Sequence, residues 1–127
     1  MFDWLKKENE FFAWVPTLMW GTLILVFSVL PYRMLPSITV GYFDKMAHFF
    51  EYTILAVLIG RGLYSTGKEF STKNILLTLI LGGVYGILME LVQRFIPGRD
   101  ASPGDIAANM AGIVFGILIG KLVLWQK

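Results

Sequence analysis

The stretch NILLTLILGGVYGILM, residues 74 to 89, decides the fold. It carries no charged side chain, and its polar and apolar residues do not alternate. A membrane β-strand needs that alternation over segments of about 10 residues. A transmembrane helix needs about 20 mostly apolar residues. With its flanks this segment runs from about Lys73 to Phe95, with Glu90, Gln93 and Arg94 only at its end, so a membrane-spanning helix is predicted.

Three more such segments follow outward from it. FFAWVPTLMWGTLILVFSVLP, residues 11 to 31, has no charge. It is too long for a signal-peptide core and no small-residue cleavage site follows it, so it reads as a retained span. Pro16 falls in its first turns, where proline is tolerated, and Pro31 and Pro36 are expected to end it. A span from about Lys45 to Tyr64 is apolar from Thr53 to Gly60 with polar residues at its start, and one from about Pro103 to Trp125 is broken by Asn109 and ended by Lys121. The expected architecture is all-α: a single domain, residues 1–127, of four transmembrane helices with short loops.

Composition agrees. The chain is 56% hydrophobic and only 16% charged, where a soluble domain is about a quarter charged. The net charge of +2 is scattered, which excludes a nucleic-acid patch. With no cysteine there is no disulfide, thiol nucleophile or thiolate metal site.

Four spans place both termini on one side. That side carries Lys6, Lys7, Arg61, Lys68, Lys73, Lys121 and Lys127, against Arg33, Lys45, Arg94 and Arg99 on the other. The positive-inside rule then sets both termini in the cytoplasm of a multi-pass plasma-membrane protein. Trp4, Trp14, Tyr64 and Trp125 fall near the inner interface as an aromatic belt would.

By this topology three polar clusters converge on the outer face: DKMAHFFEY (44–52), MELVQRFIPGRD (89–100) and SPGDIAANMAG (102–112). Residues three or four apart share a helix face. Asp44, His48 and Glu51 thus form one stripe, with Tyr52 beside it. Gly82, Gly86, Glu90 and Gln93 form a second, and Asp105, Asn109, Gly112, Gly116 and Gly120 a third, extended by Ala108. Glycines four apart let membrane helices pack closely, within one chain or in a homo-oligomer. The polar groups therefore face protein or a small wet cavity. Glu90 lies roughly 5 to 10 Å below the outer end at 1.5 Å per residue, which suggests a cup open to the outside.

Each residue has a structural reading beside a chemical one. Asp44 suits an N-cap. Ser102-Pro103-Gly104-Asp105 suits a capping box with proline at the first helical position. Glu90 has Arg94 at i+4 and Arg99 within reach as salt-bridge partners. Arg61 and Lys121 suit snorkelling anchors. The sole histidine, His48, stands between two acids, which favours a general base or a ligand. A divalent metal beside His48 with Glu51, Glu90 or Asp105 is compatible, but no spacing matches a metal motif.

The ordered set Asp-Lys-x-x-His-Phe-x-x-Tyr, Glu-x-x-Gln, Pro-Gly-Arg, Ser-x-x-Asp and Asn-x-x-Gly, in 44–55 and 86–116, resembles the VanZ-like family of bacterial membrane proteins. The resemblance implies a cell-envelope role and low-level teicoplanin resistance. Three functions stay open. The first is an enzyme on a membrane lipid or lipid-linked cell-wall precursor. There His48, Asp44, Glu51, Glu90 and Asp105 would carry the chemistry, and Lys45, Tyr52, Gln93, Arg99, Ser102 and Asn109 would hold the substrate. The second is a binding protein for such a lipid or for a glycopeptide antibiotic, and the third is a structural protein with polar interhelical contacts. A channel is disfavoured, since the inner half has no polar path.

Overall fold

The computed structural model describes residues 10–31, 42–67, 69–99 and 101–124, with Glu10 and Tyr42 described by backbone alone. Trp4, Lys6, Lys7, Arg33, Pro36, Lys68, Trp125 and Lys127, which enter the sidedness and helix-end expectations, lie outside the described residues. Among the described residues there are four helices: α1 (Glu10–Val29), α2 (Tyr42–Gly67), α3 (Thr72–Arg94) and α4 (Pro103–Ile119), which continues into a π-helical turn, Gly120–Leu124. All four are long and apolar enough to cross a membrane.

The helix ends have local causes. α1 stops at Val29 because Leu30 precedes Pro31, and the residue before proline is pushed out of helical geometry. Within α1, Pro16 donates no N–H, and at this turn Arg61 Nη1 donates to the Ala13 carbonyl (3.0 Å). α2 begins three residues before the expected Lys45. Asp44 is therefore in the first turn, where its charge suits the helix dipole, and not at the N-cap. α2 also runs on past Tyr64, as Ser65 and Thr66 donate back to the Gly62 carbonyl (2.7 and 3.2 Å). Ser71 caps α3 and Ser102 caps α4, each accepting from the backbone N–H three residues on.

The α2–α4 pair forms the most extensive interface. A methyl group built at Gly112 would lie 2.3 Å from the Phe49 carbonyl oxygen, and one at Gly116 2.5 Å from that of Thr53. Backbone meets backbone here, which only glycine permits. Around the seam pack Ile24, Tyr52, Leu55, Ala56, Ile59, Met89, Ile113 and Ile117. α1 is the peripheral helix: 17% of its span is buried against 44% for α2. Its Phe11, Leu18, Leu23 and Phe27 are exposed, an apolar surface suited to lipid. Side-chain donors fasten it inward. Trp20 Nε1 donates to the Glu51 carbonyl (2.9 Å), Thr17 Oγ1 to that of Leu58 (3.0 Å), and the Tyr85 hydroxyl to that of Gly21. In lipid such donors need internal acceptors.

Alternating helix direction gathers Asp44, Glu90, Arg99 and Asp105 at one end of the bundle and Arg61, Lys73 and Lys121 at the other. Tyr64 differs from its expected place in an aromatic belt: it is buried.

Candidate functional site

His48 is the centre of the polar end. Its Nδ1 lies 3.0 Å from Asn109 Oδ1 on α4 and 3.8 Å from Glu90 Oε1 on α3. Its Nε2 lies 3.7 Å from Asp44 Oδ2, one turn back on α2. One imidazole therefore touches three helices. An amide oxygen can only accept, so Nδ1 donates to Asn109; in the neutral ring Nε2 then presents its lone pair toward Asp44. Beside it, Lys45 Nζ donates to Asp105 Oδ1 (3.1 Å) and Ser102 Oγ (3.4 Å), a second bridge from α2 to α4.

Local structure sets these positions. Ile96-Pro97-Gly98-Arg99 closes a turn, with Arg99 N–H donating to the Ile96 carbonyl (3.1 Å). Proline at its second position and Gly98 at φ 78° are the signature of a type II turn. The turn brings the chain to Ser102, whose Oγ accepts from Asp105 N–H (3.2 Å) with Pro103 opening the helix. Only this half of the expected capping box is present. The Asp105 carboxylate accepts from Lys45 instead of reaching back to Ser102. Asn109 follows one turn on, facing His48.

The site is layered. Lys45 and Asp44 form its mouth, their side chains 49% and 21% exposed. Beneath them His48, Glu90, Gln93, Asp105 and Asn109 are buried. The polar end is thus exposed at its mouth, over a floor packed between the helices. Tyr52 is buried against Gly86 on α3. Glu51 is half-buried, and its charge, with those of Asp44 and Glu90, lies in electrostatic range of both His48 and Arg99.

Two expected pairings do not form. Arg94 is exposed and does not pair with Glu90, whose two oxygens are buried with no hydrogen-bond donor. Arg99 does not reach that acid by a hydrogen bond either. Its Nη1 donates to the carbonyls of Phe27 (3.1 Å) and Leu30 (3.3 Å) at the end of α1, where a helix leaves carbonyls unsatisfied. The Tyr52 hydroxyl and Asn109 Nδ2 are, like the Glu90 oxygens, buried without a hydrogen-bond partner. Asp44, His48 and Asp105 each offer a ligand atom, all within 4.8 Å of one another. This set shares His48 and Asp105 with the ligands expected from the sequence and has Asp44 in place of Glu51 or Glu90.

Four membrane-length helices with a histidine-centred polar cluster buried at one end fit a multi-pass membrane protein. The VanZ/LLP1 family model matches residues 3–124, and the chain belongs to that family. No curated protein and no solved structure matches the chain.

Proposed function

We propose that this chain is a bacterial plasma-membrane protein with both termini in the cytoplasm. Its histidine-centred cluster would face outward and receive the polar head of a membrane lipid or lipid-linked cell-wall precursor. The observation that carries this reading is His48, held by α2, α3 and α4 at once and surrounded by buried polar atoms without partners. Buried polar groups in native proteins are paired. A cluster whose buried polar atoms lack partners suits a polar guest better than a role as interhelical glue. His48 is the group placed to move a proton there, and Lys45, half-exposed at the mouth, is the first cation that an arriving headgroup meets.

A second reading, binding of a lipoglycopeptide such as teicoplanin without chemistry, is favoured by the apolar cavity of about 420 Å³ between α1, α2 and α3. Thr17, Gly21, Leu25, Leu55, Leu81 and Tyr85 line it, a surface suited to an acyl chain.

Teicoplanin and vancomycin susceptibility of a sensitive Gram-positive host tests the proposal, with membrane abundance matched between variants. The native chain is expected to protect selectively against teicoplanin, and His48→Ala and Glu90→Gln to abolish that protection. Full protection by both variants would sink the role of the cluster. A purified chain that binds teicoplanin saturably, with recovery of unmodified ligand, decides for the second reading.

A further inference from the structure

We propose that Asp44, His48 and Asp105 bind one divalent cation, with Asn109 and Glu90 orienting the imidazole from its other side. Their ligand atoms already lie within 4.8 Å of one another, the His48 Nε2 and Asp44 Oδ2 at 3.7 Å. Metal–ligand distances of about 2.0 to 2.2 Å bring ligand atoms to roughly 3 to 3.5 Å apart, so a small side-chain closure completes the set.

Three independent observations point to a cation. The first is at Nε2. With Nδ1 donating to Asn109, Nε2 of the neutral ring faces a carboxylate oxygen at 3.7 Å, two acceptors opposed with no donor between them. A cation placed there is bound by both. The second is Glu90. It is 3% exposed, has no hydrogen-bond donor on either oxygen, and points at His48 from the Nδ1 side. Histidines that bind metals characteristically give their other ring N–H to a carbonyl or carboxylate, which fixes the ring and raises its basicity. Asn109 and Glu90 stand where that support belongs.

The third is charge. Asp44, Glu51, Glu90 and Asp105 surround His48, against Lys45 and Arg99. Four acidic side chains against two cationic ones form a donor set whose ionised form a divalent ion would stabilise. One imidazole with two carboxylates and no thiolate suits Mn²⁺ or Zn²⁺ over soft metals. Lys45 Nζ, 3.1 Å from Asp105 Oδ1, guards the site as a competing cation on a half-exposed, swinging stem.

This goes beyond the functional reading above and stands without it. It also alters that reading: with the ion bound, His48 Nε2 is a ligand, and the proton to be moved belongs to water on the ion. The ion also offsets the negative charge of a cluster that otherwise repels phosphate.

The test uses the full chain in detergent, stripped with EDTA, and Mn²⁺ titrated under electron paramagnetic resonance with Zn²⁺ as competitor. No lipid or antibiotic enters, so its outcome is separate from that of the susceptibility assay. One Mn²⁺ per chain is expected. Asp44→Asn and His48→Gln are expected to weaken it at least about tenfold, the lower bound for losing even an outer partner. Lys45→Met is expected to tighten it about threefold or more, since a competing charge is removed. A merely structural cluster would give no such gain. Circular dichroism and size exclusion check that each variant folds, and Asp44→Asn, at the partly exposed mouth, is the substitution that leaves packing alone. No binding of either ion, binding unchanged in Asp44→Asn, or weaker binding in Lys45→Met would overturn the assignment.

Discussion

The α2–α4 seam is built in two different ways along its length. In its first two turns on α4 it is polar: Lys45 meets Asp105 and Ser102, and His48 meets Asn109. In the next two turns it is bare backbone, with Gly112 on the Phe49 carbonyl and Gly116 on that of Thr53. The glycine half leaves no polar side chain in want of a partner on its contact line. The polar half leaves Glu90, Tyr52 and Asn109 with buried atoms unpaired. Interhelical polar bonds in membranes contribute only about 0.6 kcal/mol each, so close packing is the stronger fastener. The difference teaches that the two halves serve different ends. The glycine half holds the helices, and the polar half is held by them for use.

The largest effect should come from breaking the glycine half. In Gly112→Ala the new methyl would sit 2.3 Å from a backbone oxygen, which cannot rotate away. The helices must separate, and forced overpacking costs typically 1 to 3 kcal/mol, here toward the upper end at about 3. The thermal midpoint in detergent should fall sharply, and membrane abundance with it. A midpoint unchanged within a degree or two would show that the seam is not closed as described.

Arg99→Ala probes the boundary between the halves. This residue faces the polar end, yet it donates to two carbonyls at the last turn of α1. Charged hydrogen bonds contribute up to about 1.5 to 3 kcal/mol when buried, and partial exposure reduces this to about 1. A moderate loss of thermal stability is expected, smaller than that of Gly112→Ala. Arg99→Lys should recover part of it, because a cation still suits a helix C-terminus. If Arg99→Ala leaves stability untouched while abolishing teicoplanin protection, Arg99 belongs with the ligand and not with the scaffold.

The same division explains what could be read from the sequence. The four helices were legible because runs such as 74–89 allow no other satisfied backbone in lipid. Convergence of the polar clusters was legible too, since short loops between antiparallel spans force alternate ends together. Individual partners were not. Whether His48 meets Asn109 or Asp105 depends on the axial register of α2 against α4, which the glycine contacts fix and no local spacing encodes. The Glu90–Arg94 pair suggested by i+4 spacing fails because Glu90 turns into the bundle while Arg94 lies at the helix end, free to extend to solvent. The backbone carbonyls of Phe27 and Leu30 that accept from Arg99 carry no side-chain signature at all.

The smallest effect, and the sharpest control, is Gly83→Ala. Gly83 is also a buried glycine on a membrane helix, next to Gly82. A methyl group there would meet only the Met110 sulfur at 3.4 Å and its terminal methyl at 3.7 Å. Those atoms are the far end of a flexible side chain that adapts readily. Replacing a mid-helix glycine by alanine contributes roughly 0.5 to 1 kcal/mol in soluble helices through reduced backbone freedom. The two terms nearly cancel, so the thermal midpoint should stay level or rise slightly. Were Gly83→Ala as damaging as Gly112→Ala, glycine content in general, and not the backbone contact at Gly112, would be holding this bundle together. The contrast drawn along the α2–α4 seam would then lose its physical basis.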